Sequence, residues 1–201
     1  REAISLAIDK QELIDILFFG HAKIAKGPFL PGSFAYNEKV KDKGYDLKKA
    51  KALLKQLGYD RNNPFTFELT TNTGNETRIN AAQIIQYQLE KANIKMKIRV
   101  MEWQAFLNTV VHPRNFDAVL LAWSLSLMPD AYPLWHTNSD KLGRFNLVGY
   151  RNKEVDRLIE KGSTTVDTKK LSKIYKKIYK KIANDLPYIF LYIPNTITVV
   201  N

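Results

Sequence analysis

The residues of this chain that could do chemistry are Asn72, Thr73, Asn75, Thr77, Trp103, Trp123, Ser126 and Asp130. The two indoles offer flat apolar platforms, and the amides and hydroxyls offer donors and acceptors. Asp130 adds one carboxylate. Such a set suits recognition of a small ligand, where apolar surface supplies area and a few polar groups fix orientation. It does not suit bond making. The histidines are His21, His112 and His136, far apart in the chain. No His-x-x-x-His pair and no Gly-x-Ser-x-Gly elbow occurs, and Gly20 to Gly27 lacks phosphate-loop spacing. The absence of cysteine removes thiolate nucleophiles, disulfides and Cys-based zinc sites. Asp130 and His136 are two candidate metal ligands without a third. The expectation is therefore binding without catalysis, and no cofactor or metal.

The elements that must position these residues follow from periodicity. Arg1–Phe19 reads as two short helices with Asp9 capping the second. Gly20–Tyr45 is irregular and punctuated by Gly27-Pro28, Pro31-Gly32 and Gly44. Asp46 caps a helix whose stripe is Leu47, Ala50, Leu53, Leu54 and Leu57, and Gly58 ends it. Phe65, Phe67 and Leu69 alternate with polar residues as a strand. After the turn at Asn72-Thr73-Gly74-Asn75, a helix runs from about Glu76 to Ala92, and Ile94–Val100 forms a second strand. Strand, helix, strand at this spacing is a βαβ unit with parallel strands. Trp103–Val111 reads as a helix. Phe116–Trp123 reads as a strand that is apolar on both faces except at Asp117, and so as central in a covered sheet. Pro129–His136 is a short helix or turn, Asn152–Lys161 and Thr168–Asn184 are helices, and Tyr188–Ile193 and Thr196–Val200 are strands.

Ligands of open parallel sheets sit beyond the carboxyl ends of the strands. Asn72–Thr77, Met101–Trp103 and Trp123 all lie at such ends, and Asn72–Thr77 leads into a helix N-terminus with free amides. The competing reading puts either tryptophan in the core, since Trp is largely buried on average.

Lys and Arg total 31 against 20 Asp and Glu, a net charge of +11. A nucleic-acid partner would need basic residues interleaved with exposed aromatics. Instead Lys169, Lys170, Lys173, Lys176, Lys177, Lys180 and Lys181 alternate with Leu171, Ile174, Ile178 and Ile182, which places them on the outer face of one helix. A nucleic-acid-binding domain, recognisable by salt-steep DNA binding, and an α/β hydrolase, recognisable by turnover, stand as the alternatives. No apolar run approaches the roughly 18 residues of a membrane helix.

Several segments resemble one known family. Arg1-Glu-Ala-Ile-Ser-Leu-Ala-Ile-Asp-Lys10, Lys26-Gly-Pro-Phe-Leu-Pro-Gly-Ser-Phe-Ala-Tyr-Asn37 and Asp46-Leu-Lys-Lys-Ala-Lys-Ala-Leu-Leu-Lys-Gln-Leu-Gly-Tyr59 are similar to the family-5 extracellular solute-binding proteins, the oligopeptide, dipeptide and nickel binders of ABC importers. Glu102-Trp103 with Phe106-Leu107, Phe116-Asp117 with Ala122-Trp123-Ser124, and Asp185-Leu-Pro-Tyr-Ile-Phe-Leu-Tyr192 continue the order. The resemblance implies an α/β lobe of the type II periplasmic-binding-protein kind, with a mixed, mostly parallel sheet flanked by helices. Residues 1–201 are then expected to form a single C-terminal lobe. A helix already running at Arg1 and a β-branched run up to Asn201 fit that expectation. The resemblance further implies a peptide or small solute as ligand and an ABC permease as partner. The expected protein is a monomer in the periplasm or outside the cell, with a lipid anchor as one option. Peptide binders of the family often carry Asp three residues after the strand-end Trp, where this chain has Ser126, with Asp130 further on. Basic residues found in some members fall on Leu120 and Val111.

Overall fold

A computed structural model describes residues 1–195. The strand expected at Thr196–Val200 lies outside the described residues.

The chain opens with α1 (Glu2–Ala7) and α2 (Lys10–Phe18). Asp9 separates them because its carboxylate accepts from the amides of Gln11 and Glu12, which would otherwise be unpaired at the helix start. A short strand β1 (Ala22–Ile24) follows, then a long irregular stretch to α3 (Leu47–Gln56). Asp46 caps α3 at the Lys49 amide, and Gly58 adopts φ +84° just beyond it. Ala50 and Leu54 are buried, whereas Leu57, expected on the same stripe, is exposed.

The βαβ unit is present as β2 (Phe65–Asn72), α4 (Glu76–Glu90) and β3 (Ile94–Met101). β2 and β3 are parallel and in register from Phe65 opposite Ile94 to Asn72 opposite Met101. Gln88 locks α4 to the start of α2, exchanging hydrogen bonds with the Asp9 backbone and donating to Glu12. The helix expected over Trp103–Val111 is α5 (Trp103–Phe106), continued by a wider π-helical turn over Leu107–Val111.

The segment Phe116–Trp123 corrects the sequence reading. Only Ala118–Val119 form a strand, β4, and it pairs in parallel with β2 at the sheet edge, in the order β3-β2-β4. β2, not β4, is central. The apolar side chains around β4 are used up by packing: Ala118 and Leu120 meet the helices on one face, while Phe116, Val119 and Leu121 meet Phe106, Val110 and Val111 on the other.

After α6 (Tyr132–Trp135), α7 (Lys153–Ser163) and α8 (Thr168–Asp185) form an antiparallel pair whose core holds Trp135, Ile174, Ile178, Tyr179 and Ile182. The strand expected over Tyr188–Ile193 is shorter and later, β5 (Tyr192–Pro194), and it pairs antiparallel with β1. One parallel three-stranded sheet with helices on its faces, plus this antiparallel pair, makes the α/β arrangement mixed and mostly parallel.

Candidate functional site

Because β2, β3 and β4 all run the same way, their carboxyl ends share one edge. Three hydrogen bonds hold that edge together. The Thr73 amide donates to the Met101 carbonyl at 2.7 Å, the Leu120 amide to the Thr70 carbonyl at 3.1 Å, and the Thr71 hydroxyl to the Leu120 carbonyl at 3.1 Å. The segments carrying Asn72–Thr77, Trp103 and Trp123 therefore leave the sheet side by side.

Each of these residues has a defined setting. Asn72 is buried and committed, accepting from the Arg78 guanidinium and donating to the Thr73 carbonyl at 2.6 Å. Thr73 and Thr77 are exposed. Asn75 caps α4 by accepting from the Arg78 amide at 2.9 Å. The positive end of this 15-residue helix faces the edge. Arg78 is half-buried, and desolvation lowers its pKa against an opposing effect of Tyr192. It makes no ion pair among the described residues.

Trp103 begins α5, whose first turn is capped by Glu102 accepting from the Ala105 amide at 3.0 Å. Backbone amides of Gln104 and Ala105 hold the Glu102 carboxyl below its ordinary value, so a negative charge sits beside the indole. Trp103 is 39% exposed and packs against Phe106. Trp123 is 37% exposed and meets Phe145 edge to face at 5.7 Å. Neither indole is consumed by the core. The buried tryptophan is Trp135, at 2%. Phe145 is exposed and extends the apolar surface at Trp123, and Leu127 and Met128 are exposed on the loop that follows.

Ser126 and Asp130 shape the loop that follows. The Ser126 hydroxyl accepts from the Met128 amide at 3.0 Å, and Asp130 accepts from the Tyr132 amide at 2.9 Å. His136 is buried, stacked on Tyr132 at 4.2 Å. Its Nδ1 accepts from the Asn138 amide at 3.0 Å, which leaves Nε2–H to donate to Glu160 at 3.2 Å. That histidine is thereby a structural brace and not a partner for Asp130. Among the described residues no group of three His, Asp or Glu is placed to hold a metal.

Leu120 and Val111 are buried in separate apolar clusters and present no charge to the edge. Sequence reasoning missed Glu102, Arg78 and Phe145. Glu102 carries a legible signal, an acidic residue just before a helix start. Phe145 carries none, since it lies in an irregular Gly-Arg-Phe stretch.

Comparison with known proteins gives a consistent result. A profile described as "Bacterial extracellular solute-binding proteins, family 5 Middle" matches residues 1–144. The chain is 36% identical to the oligopeptide-binding protein AppA of Bacillus subtilis, over 97% of this chain and 38% of that protein. A structure of AppA in complex with a nonapeptide superposes with a TM-score of 0.87 at 36% identity, covering 96% of this chain and 41% of the other. NikA from Staphylococcus aureus in complex with Ni(L-His)2 gives a TM-score of 0.83 at 26% identity, covering 95% and 40%. The chain thus spans about two fifths of the length of these relatives.

Proposed function

The chain belongs to family 5 of the bacterial extracellular solute-binding proteins, with the type II periplasmic-binding-protein fold, and from that premise we propose that it is the C-terminal lobe of the substrate-binding component of an ABC importer. The lobe holds a small solute, a peptide in the first instance, against a second lobe, and the closed protein delivers it to a membrane permease. The work is binding without turnover. The protein acts as a monomer, periplasmic or extracellular, with a lipid anchor as one way of staying at the membrane.

One observation carries the site. Two part-exposed indoles, Trp103 and Trp123, stand at the shared carboxyl edge of a parallel sheet, beside the N-terminus of α4. Such platforms accept varied side chains without reading them individually. Thr73 and Thr77 add exposed hydroxyls beside them, Asn75 caps the adjoining helix, Glu102 adds a negative charge next to Trp103, and Ser126 and Asp130 lie on the loop that follows Trp123. Uncharged Leu120 and Val111 favour ligands that do not need a buried carboxylate partner there. Relatives bind different solutes: AppA has been solved with a nonapeptide and NikA with a nickel–histidine complex. A thermal-shift panel of peptides, sugars and nickel–histidine on the full two-lobed protein tests the reading. A shift with peptides is expected, and no shift with any member of the panel refutes it.

A further inference from the structure

We propose that the outer face of α8, with the neighbouring segment Asn37–Lys41, docks on the anionic headgroups of a phospholipid bilayer. Lys169, Lys173, Lys176 and Lys180 recur every three or four residues, so they form one row along the helix. Lys170 and Lys177 flank that row, and all six are exposed. None of the six makes an ion pair among the described residues. Lys181 stands at the margin and is spent on Glu154 at 3.1 Å.

The nearby acids mostly face elsewhere. Asp167 caps α8 at the Lys170 amide, and Asp185 accepts from the Tyr150 hydroxyl and the Asn152 amide group on the α7 side. Glu38 is the acid left close to the row, exposed between Asn37 and Lys39. The Asn37 side chain donates to the Lys176 carbonyl at 2.8 Å, which ties this segment to the helix. Asn37, Lys39, Lys41, Lys180 and Asn184 then line one shallow groove. Three lysines and the Asn184 carboxamide on one groove, whose wall Asn37 fixes, make a cradle for a phosphate-bearing headgroup.

The shape and chemistry favour a bilayer over nucleic acid. The row is straight and rigid, and from Lys169 to Lys180 it runs about 17 Å along the helix at 1.5 Å per residue. The tyrosines of α8, Tyr175 and Tyr179, are buried, so the face offers no ring for base stacking. It contains lysine and no arginine. Compact point charges suit a diffuse anionic surface, whereas arginine suits the directed contacts of nucleic acid. A protein that serves a membrane permease gains from being held close to the lipid, so the biological use of this face rests on the proposed function. The binding itself does not.

The test is co-sedimentation of the full protein with vesicles of phosphatidylglycerol and phosphatidylcholine, with pure phosphatidylcholine as reference. Binding is expected only to the anionic vesicles, weakening as salt rises. The K169Q/K173Q/K176Q/K180Q variant should bind several hundredfold more weakly, since each lysine at an anionic surface is worth roughly fivefold. A charge-matched control, K48Q/K51Q/K55Q/K95Q, changes exposed lysines on α3 and β3 and should sediment nearly as the unmodified protein does. The proposal is overturned by failure to sediment, by equal binding to neutral vesicles, or by equal loss in the control. It is also overturned if duplex DNA competes the protein off the vesicles through the same four lysines. Peptide binding by the lysine variant separates this inference from the ligand site: a variant that leaves the vesicle but keeps its peptide leaves the transport reading intact.

Discussion

Trp123→Ala separates a ligand platform from a core residue. A tryptophan side chain buries up to about 250 Å². Trp123 leaves 37% exposed, so roughly 90 Å² remains for a ligand to cover. At about 25 cal/mol per Å² that area is worth ~2 kcal/mol, or about a 30- to 50-fold loss of affinity. The cost in stability should be smaller than the 3–5 kcal/mol typical of a fully buried tryptophan. The indole packs on Phe145, itself exposed, and its N–H lies by the largely buried Tyr188 hydroxyl, while the chain after Val119 is irregular and can settle around the gap. About 1–2 kcal/mol is expected. Calorimetric titration of a binding peptide and a thermal melt of the same preparation give both numbers. Trp123→Phe should recover part of the affinity. An unfolded variant, or a large drop in melting temperature with unchanged peptide affinity, would assign Trp123 to the core and refute the reasoning.

Other perturbations test the frame around the site. Asp140 is buried between Arg114 and Arg151, the latter at 2.5 Å; burial alone would raise its pKa, but the hydrogen bonds and charges of both arginines hold it below the ordinary carboxylate value. A depressed folded pKa gives stability that is present above the unfolded value of about 3.9 and lost as pH falls through the folded one. Urea midpoints should therefore drop below about pH 4 more steeply in the unmodified protein than in Asp140→Asn. At pH 7 that variant should lose about 2–3 kcal/mol, less than a wholly buried pair because Arg151 stands in solvent. Asn75→Ala should cost about 1 kcal/mol through the lost cap of α4 and loosen the Thr73–Thr77 turn, read by denaturation and by amide exchange. Gly27→Ala should cost about 1–3 kcal/mol, because the new Cβ would lie 2.6 Å from the buried Tyr179 ring; an unchanged melting temperature would contradict that packing.

Much of the fold was legible because its signals are local. Asp9, Asp46, Asn75 and Asn152 each announce a helix start, and each side chain does accept from amides of the following turn. The alternation in Phe65–Leu69 and Ile94–Val100 needed no tertiary information to give the βαβ unit. What was missed is set by distant partners. β1 is three residues long and exists because β5, near the other end of the described chain, pairs with it. β4 was overestimated because apolarity on both faces does not distinguish a central strand from an edge segment wedged between two clusters. The π-helical turn after Phe106 has no sequence signature in the local pattern. At the candidate site, the strand ends pointed to one edge and to two indoles that the structure leaves part-exposed. They could not tell that the Asn72 side chain turns inward to Arg78 and the Thr73 carbonyl, or that Ser126 and Asp130 each use an oxygen to fix their own loop.

In the proposed site, Trp103 and Trp123 hold a solute at the carboxyl edge of the sheet. Native mass spectrometry of the full protein as purified, beside the Trp103→Ala/Trp123→Ala double variant, tests it directly. Added masses in the peptide range are expected on the unmodified protein and absent from a folded double variant. Identical adducts on both proteins would contradict it.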